Sequence, residues 1–200
     1  MNNIMIVTDL DGTLLDHYTY SFAAALPMLS ALKDRGIPVV LCSSKTREEI
    51  QLLREQLSLD SPYIVENGAA VYFPKRRFPA LAKGSQPVSR DGATEWCHEF
   101  GGNRAHWQSL LDELPDVFYG HYRRLSSMTV GQISDLTGLS PDDAARASRR
   151  EYGEPVQWRG SDTLKEEFIA ALETKGARVL QGGRFLHIAG GWDKGLALHW

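Results

Sequence analysis

The chain has 200 residues, of which 42% are hydrophobic, and a formal charge of -3 at pH 7. That length allows one large domain or two small ones, and the apolar content is enough for an ordinary core. Charges of both signs are mixed along the sequence without a polybasic tract, so small molecules are expected as partners rather than nucleic acid or a membrane surface. The first twelve residues match neither a signal peptide nor a membrane span, so we expect a cytoplasmic protein.

Strands and helices alternate in the first third of the sequence. Apolar runs of strand length cover residues 4–8, 37–42 and 63–65. Between them, apolar residues recur at helical spacing over residues 22–32, until Gly36, and again after Thr46 and Glu49, which form a capping box. Strands that are apolar on both faces and separated by amphipathic helices predict an α/β fold with a doubly wound parallel, Rossmann-like sheet.

The pattern changes after the third strand. Asn67-Gly68 predicts a tight hairpin whose second arm is residues 69–73. Beyond Pro74 a polar, basic stretch with glycines and prolines indicates a connection between domains; its basic cluster is interpreted as a solvated linker, with an anion site as the alternative. From about residue 93 helices are predicted to dominate, until a second hairpin over residues 177–189.

Tryptophan, cysteine and histidine residues point to structural roles. The tryptophans at 96, 107 and 158 have helix and strand spacings, so core positions are expected, with a substrate pocket as the alternative. Cys42 and Cys97 have no metal-ligand spacing and are expected to be reduced thiols. The histidines match no zinc pattern, which favours packing or surface roles.

Two carboxylates, Asp9 and Asp11, follow the first strand one residue apart. Residues i and i+2 of an extended segment point to the same face, so both side chains should project at the carboxyl end of the sheet, where ligands bind, with Gly12 turning the chain behind them. Such a pair needs a cation or a shared proton, and Mg²⁺ prefers carboxylate oxygens and a substrate phosphate. The pair suits phosphoryl transfer, in which one carboxylate attacks phosphorus and the other moves protons. The alternative is an Asp-Gly turn in which Asp9 caps a neighbouring group.

Two further positions suit a phosphate group. Ser43 lies just past the second strand, where its hydroxyl and nearby backbone N–H groups could hold a phosphate oxygen; with Ser44 it could otherwise simply start a helix. Lys194 stands in a glycine-rich turn, where it would either face solvent or neutralise phosphate charge in the same crevice.

These motifs together resemble a known family. Asp-Leu-Asp-Gly-Thr at residues 9–13, then Ser43 and then Lys194 in Asp-Lys-Gly, resemble the first three signature motifs of the haloacid dehalogenase superfamily of phosphatases. The subgroup that the chain resembles is mannosyl-3-phosphoglycerate phosphatase, through the segments VVLCSSKTREEI, PYIVENGAAVYFP, REYGEPVQW and GGRFLHIAGG. The more specific mark is the serine pair before Lys45, where the wider superfamily usually has Thr-Gly-Arg.

The resemblance implies a role for each motif residue. Asp9 would be the nucleophile and a Mg²⁺ ligand, and Asp11 the general acid and base, with its backbone carbonyl on the metal. Ser43 and Lys194 would hold the phosphate. The implied reaction is hydrolysis of 2-(α-mannosyl)-3-phosphoglycerate, through an aspartyl phosphate, to inorganic phosphate and mannosylglycerate, a compatible solute.

The resemblance also implies a domain organisation. Residues 1–83 would be the first part of the hydrolase core, residues 84–189 an inserted α+β cap that closes over substrate, and residues 190–200 the return to the core. The family's fourth motif, an acidic cluster that supplies the remaining metal ligands, has no match after Lys194. We therefore expect the chain to be a fragment that lacks a helix and at least one core strand, so that a C-terminally extended chain would bind Mg²⁺ more tightly.

Several alternatives remain open from the sequence. The substrate could be another sugar phosphate, for a phosphatase or a mutase, or the chain could be a non-catalytic phosphosugar-binding module. Retention of both carboxylates argues against a pure binder, because adjacent negative charges disfavour an anionic ligand. Contacts with a glycerate carboxylate or with sugar hydroxyls are predicted for Lys45, Gln181 and Arg184, with ordinary surface positions as the alternative. Ser44 is a further predicted substrate contact, beside the phosphate. The sequence does not indicate an oligomeric state.

Overall fold

The computed structural model describes residues 4–78, 80, 82–90 and 93–200. The chain divides into two compact units, which we call the core unit, made of Met1–Phe100 and Asp193–Trp200, and the inserted unit, Gly101–Trp192. Each unit contains its own β-sheet. Among the described residues, no helix is long and apolar enough to cross a membrane.

A six-stranded mixed sheet forms the centre of the core unit. Its strands are β1 (Ile6–Thr8), β2 (Val39–Cys42), β3 (Tyr63–Val65), β4 (Ala70–Pro74), β5 (Gln86–Arg90) and β6 (Ala93–Glu99). In space they follow the order β1-β2-β3-β4-β6-β5. The first three strands run parallel, and the other pairings are antiparallel. β2 and β3 are buried along their whole length, which explains why their sequences are apolar without alternation.

Helices α1 (Leu26–Asp34) and α2 (Arg47–Gln56) connect the parallel strands, as the sequence predicts. The capping box that starts α2 is present: Glu49 N donates to Thr46 Oγ1 at 3.3 Å, and Thr46 N donates to Glu49 Oε2 at 2.8 Å. The hairpin predicted at Asn67-Gly68 is confirmed by the antiparallel pairing of β3 with β4.

The stretch after Pro74 differs from the prediction. Strands β5 and β6 stand where a connection and then helices are predicted, and residues 95–99 of β6 pair with the whole of β4. The signal was hidden because β6 contains Glu95, which is only 4% exposed beside buried Trp96 and Cys97. A buried glutamate breaks the usual alternation of apolar and polar residues on a half-buried strand.

The division between the units therefore differs from the predicted boundaries. It falls between Phe100 and Gly101, and again between Trp192 and Asp193, rather than at residues 84 and 189. The physical reason is hydrogen bonding, since β5 and β6 extend the sheet of the core unit and cannot belong to an insertion outside it.

The inserted unit has an α+β architecture. Its helices and strands in chain order are α3 (Arg104–Asp112), β7 (Tyr122–Arg124), α4 (Val130–Thr137), α5 (Pro141–Ser148), β8 (Glu154–Trp158), α6 (Asp162–Thr174), β9 (Arg178–Gly182) and β10 (Phe185–Ala189). The strands form an antiparallel sheet in the order β7-β8-β10-β9. The predicted hairpin of β9 and β10 is confirmed, whereas β7 and β8 were not predicted. The helix that completes the chain, α7 (Lys194–His199), belongs to the core unit.

The residues expected to be structural are in packed positions. Trp96 and Trp107 are 8% and 4% exposed, and the Trp158 ring lies 5.0 Å from that of Phe168, so the core interpretation of these tryptophans is favoured. Cys42 and Cys97 are both buried, and neither is part of a disulfide, which agrees with the predicted thiols.

Candidate active site

Asp9 and Asp11 emerge from the end of β1. Leu10 between them is fully buried, while the side chains of the two aspartates are 46% and 43% exposed. The backbone N–H of Leu10 donates to Asp9 Oδ1 at 2.7 Å, which orients this carboxylate. Gly12 adopts φ +69°, so the chain turns there through a conformation that favours glycine. The buried leucine thus keeps both carboxylates on the accessible side of the strand end.

Ser43 lies one residue past β2, beside the end of β1. The parallel pairing of Thr8 with Leu41 brings the carboxyl ends of these strands together. Ser43 is fully buried, and its Oγ accepts a hydrogen bond from Lys45 N at 3.2 Å. Because the hydroxyl accepts in this bond, its own proton is available for an anionic oxygen.

Lys194 reaches the same place from the opposite end of the chain. It is the first residue of α7, which Asp193 caps by accepting a hydrogen bond from Leu196 N at 2.8 Å. Its Nζ lies 2.7 Å from Asp9 Oδ2. Lys194 and Asp9 are 185 positions apart in the sequence, so only the tertiary fold joins them.

Cys42 is an unreactive thiol near Lys194 and Asp9. Burial raises the pKa of its thiol to about 11, while the charges of Lys194 and Asp9 act on it in opposite directions. The thiol is therefore protonated near neutral pH and unsuited to act as a nucleophile.

Lys45 is bound by two carboxylates. Its Nζ lies 3.1 Å from Asp11 Oδ1 and 3.7 Å from Glu49 Oε1, and 5.3 Å from the centre of the Tyr20 ring. Burial acts to lower the pKa of this ammonium, but Glu49 and Asp11 together raise it above its usual value. The side chain is only 17% exposed, so Lys45 is a permanent, partly enclosed positive charge beside Asp11.

The remaining predicted residues are distributed over both units. Ser44 is half-buried next to Ser43 in the core unit. Gln181 lies on β9 of the inserted unit, and Arg184, in the turn that follows, donates a hydrogen bond to the carbonyl oxygen of Leu136. Substrate contact by Gln181, Arg184 and Lys45 stays a prediction.

The charges of the site fit an anion and a hard cation. Asp9 pairs with Lys194 and Asp11 with Lys45, so two positive and two negative groups meet at the carboxyl ends of β1 and β2. The described part of the chain contains no group of three or more His, Cys, Asp or Glu side chains that could hold a metal. Two carboxylates are nonetheless the kind of donor set with which proteins bind Mg²⁺ together with a substrate phosphate.

Comparison with known proteins identifies the family. Residues 6–95 match the model of the haloacid dehalogenase-like hydrolase family. The chain is 38% identical, over 98% of its own length and 70% of the relative's, to the glucosyl-3-phosphoglycerate/mannosyl-3-phosphoglycerate phosphatase of Persephonella marina. It is 33% identical to the protein of the same name from Methanococcoides burtonii, over 97% of this chain and 70% of that one.

Solved structures share the fold at low sequence identity. A haloacid dehalogenase-like hydrolase from Bacteroides thetaiotaomicron has a TM-score of 0.65 at 17% identity, covering 98% of this chain and 74% of its own. The sucrose-phosphatase of Synechocystis sp. PCC6803, solved with sucrose and phosphate, has a TM-score of 0.54 at 15% identity, covering 100% of this chain and 69% of its own. These similarities support the predicted α/β core with an inserted α+β unit.

The chain belongs to the haloacid dehalogenase-like hydrolases. The two relatives named above are phosphatases, and the predicted enzyme class, phosphoric monoester hydrolase, is confirmed for the chain by this similarity. The chain spans about 70% of the length of these relatives.

Proposed function

We propose that this protein is a Mg²⁺-dependent phosphatase that hydrolyses a glycosyl-3-phosphoglycerate, with mannosyl-3-phosphoglycerate as the first candidate substrate. The observation that carries the proposal is the 2.7 Å contact between Lys194 Nζ and Asp9 Oδ2, beside Asp11 and Ser43. It supports a site in which a nucleophilic carboxylate and a phosphate-binding cation lie next to each other. The names of the two curated relatives support the choice of substrate.

The proposed reaction has two steps, both carried out by the aspartates. Oδ2 of Asp9 attacks phosphorus, the bond from phosphorus to the substrate's alcohol oxygen breaks, and Asp11 donates its proton to that leaving oxygen. Asp11 then removes a proton from water, the water oxygen attacks the phosphorus of the aspartyl phosphate, and inorganic phosphate leaves while the Asp9 carboxylate is restored. The hydrogen bond from Leu10 N to Asp9 Oδ1 supports this assignment, since it leaves Oδ2 as the attacking atom.

Lys194 and Ser43 are the proposed phosphate-holding groups. When phosphate binds, its oxygens would compete with Asp9 for the Lys194 ammonium, and the Ser43 hydroxyl would donate its proton to another phosphate oxygen. Both groups would also stabilise the negative charge on the oxygens during transfer.

Asp9 and Asp11 are the proposed Mg²⁺ ligands, Asp9 through its carboxylate and Asp11 through its backbone carbonyl. A bound Mg²⁺ would supply positive charge that neutralises the phosphate and lowers its repulsion of the attacking carboxylate. The contact of Asp9 Oδ2 with the Lys194 ammonium places a cation at this carboxylate, which supports the assignment of Asp9.

Hydrolysis of the mannosyl substrate would give mannosylglycerate, a compatible solute, and the cytoplasm is the proposed compartment. Gln181 and Arg184 of the inserted unit remain the proposed contacts for the glycerate or sugar. A different sugar phosphate stays the main alternative, because the residues proposed for the chemistry would act at the phosphate ester and not on the rest of the substrate.

The decisive experiment measures release of phosphate from synthetic mannosyl-3-phosphoglycerate, glucosyl-3-phosphoglycerate and mannose 6-phosphate, each with Mg²⁺ and with EDTA. We expect Mg²⁺-dependent release from the first two and at least a thousandfold loss in Asp9→Asn, since the nucleophile is removed. Asp34→Asn, an exposed aspartate at the end of α1, is the matched control and should retain full activity. Equal rates for all three substrates would contradict the substrate assignment, and phosphate binding without turnover would favour a binding module.

A further inference from the structure

The turn at residues 66–68 has an unusual backbone. Glu66, Asn67 and Gly68 have φ values of +45°, +60° and +97°, so three successive residues occupy the left-handed region. Side chains disfavour this region, and two of these three residues carry one. A strained conformation of this kind persists only where surrounding contacts determine it, so the contacts of the turn indicate its role.

The first half of the turn binds the segment that follows β2. Glu66 N donates to the carbonyl oxygen of Lys45 at 3.0 Å, and Asn67 N donates to that of Ser43 at 2.9 Å. Ser43 N in turn donates to the carbonyl oxygen of Ile64 at 3.1 Å. The backbone of Ser43 is therefore held on both sides by β3 and its turn.

The second half of the turn packs against the start of α7. A Cβ atom added at Gly68 would overlap the carbonyl group of Asp193 and lie 2.8 Å from the backbone nitrogen of Lys194. Only a residue without a side chain allows the peptide between Asp193 and Lys194 to come this close. The same short turn thus touches the backbone of both proposed phosphate-holding residues.

We propose that the 66–68 turn is a positioning element that sets the separation between Ser43 and Lys194, with Gly68 as the positioning residue for Lys194. The importance of that separation rests on the proposed function. A lysine side chain is long and flexible, so the place of its ammonium depends on where its backbone is anchored. Displacements of about 1 Å are enough to reduce catalysis severely, so an anchor shared by both residues has a clear use.

The test compares Gly68→Ala with Gly36→Ala, both in the core unit. Gly36 also has a positive φ, +65°, but a Cβ there would meet no atom within 4 Å. Both variants place alanine at a positive φ, and only Gly68→Ala pushes on the peptide before Lys194. A difference between them reports the contact with α7.

The first readout is the rate at which the Lys194 amine is acetylated by an N-hydroxysuccinimide ester, measured by mass spectrometry relative to exposed Lys33. We expect a slow rate in the wild type and in Gly36→Ala, because Asp9 binds the ammonium, and a rate at least threefold higher in Gly68→Ala. Equal rates in the wild type and a natively folded Gly68→Ala would overturn the proposal.

The wild-type protein supplies a test that needs no variant. If the 66–68 turn is a rigid positioning element, the amide hydrogens of Glu66 and Asn67 exchange with solvent as slowly as those of β3. Exchange at the rate of an unstructured peptide would overturn the proposal even if Gly68→Ala failed to fold.

Binding of inorganic phosphate, measured by calorimetry, distinguishes this inference from the proposed function. We expect about tenfold weaker binding in Gly68→Ala than in the wild type and Gly36→Ala, from the displaced lysine. Equal affinity in Gly68→Ala and the wild type would count against the turn. A wild type that binds no phosphate would count against the proposed function, while the acetylation and exchange rates would still decide the role of the turn.

Discussion

Lys45 occupies an environment unlike that of a surface lysine. Its ammonium is shared between Asp11 and Glu49 and is mostly enclosed. An ammonium group that already pairs with two carboxylates binds a substrate anion less strongly than an unpaired ammonium does. The geometry therefore favours a role in holding Asp11 over the substrate contact predicted from the sequence.

Replacement of Lys45 by methionine tests that role. Methionine keeps much of the side-chain volume but removes the charge, so Asp11 loses its nearest cation. We expect kcat to fall about tenfold with KM changed less than twofold, because an interaction with the proposed catalytic acid, Asp11, affects the chemical step more than substrate binding. Lys75→Met, at an exposed lysine, is the control. A raised KM with unchanged kcat would instead identify Lys45 as a substrate contact.

His187 illustrates how the surroundings of a side chain change its protonation. It lies on β10, where burial lowers the pKa of its imidazole from 6.5 to about 4 and the charge of Arg150 acts in the same direction. The folded state therefore binds fewer protons than the unfolded state below pH 6.5. The contribution of neutral His187 to the free energy of unfolding is fully present above pH 6.5 and is lost as the pH falls toward 4.

We expect His187→Gln to reduce the loss of stability on acidification. Between pH 7 and pH 5 the neutral histidine costs the folded state about 1–2 kcal/mol relative to the unfolded chain. The free energy of unfolding is measured by urea denaturation at both pH values. Its decrease from pH 7 to pH 5 should be smaller in the variant than in the wild type, by about 1–2 kcal/mol. His106→Gln, at an exposed histidine, should behave as the wild type does. Identical pH dependence in both variants would show that His187 titrates normally.

At the scale of elements, a buried ionic cluster joins α2 to β6. Glu95 Oε2 accepts hydrogen bonds from Arg47 Nη2 at 2.9 Å and from the Tyr63 hydroxyl at 2.8 Å, and Arg54 Nη1 lies 3.6 Å from Oε1. Glu95 and Arg47 are 4% and 2% exposed. Because burial of unpaired charge is costly, the cluster makes α2 and β6 depend on each other.

Removal of the central carboxylate should destabilise the core unit strongly. We expect Glu95→Ala to lower the free energy of unfolding by about 3–5 kcal/mol, because two buried guanidinium groups lose their partner. Glu99→Ala provides the control, since Glu99 ends the same strand in an exposed position and should change stability by less than about 0.5 kcal/mol. Similar losses in both variants, measured by chemical denaturation, would show that the strand and not the charge is responsible.

At the scale of the whole molecule, the chain leaves and re-enters the core unit at neighbouring points. Phe100 N donates to the carbonyl oxygen of Ala69 at 2.9 Å, and Gly68 packs against Asp193. Two adjacent residues of one turn thus mark the exit and the return of the chain. Closely spaced ends are the arrangement in which a domain insertion is tolerated.

This geometry predicts that the inserted unit can be removed. Replacement of residues 101–192 by a short Gly-Ser linker should leave a core unit that folds, because the ends to be joined lie beside consecutive residues and the paired strands remain intact. Circular dichroism and thermal unfolding are the measurements, and one cooperative transition is expected. The matched control inserts the same linker between Phe100 and Gly101 and deletes no residue. Loss of cooperative unfolding only on deletion would show that the core unit requires the insertion.

Much of the fold, and the candidate residues themselves, could be predicted from the amino-acid sequence. Local signals were strong where apolar runs, a capping box and an Asn-Gly turn stand next to each other, and β2, β3, α2 and the first hairpin follow them closely. Asp9 and Asp11 were recognisable because their spacing and their position after a strand are local properties. The motif order was enough to recognise the family, which the comparisons confirm.

Contacts between residues that are distant in the sequence became visible only in the folded structure. Strand β6 contains a buried glutamate, Glu95, whose hydrogen-bond partners lie on other elements. The local sequence pattern therefore does not predict this strand. The pairing of Lys45 with Asp11, and the contact of Gly68 with the start of α7, join segments that are far apart in the sequence. Such contacts depend on distances between elements, which the order of residues along the chain specifies only through the folded structure.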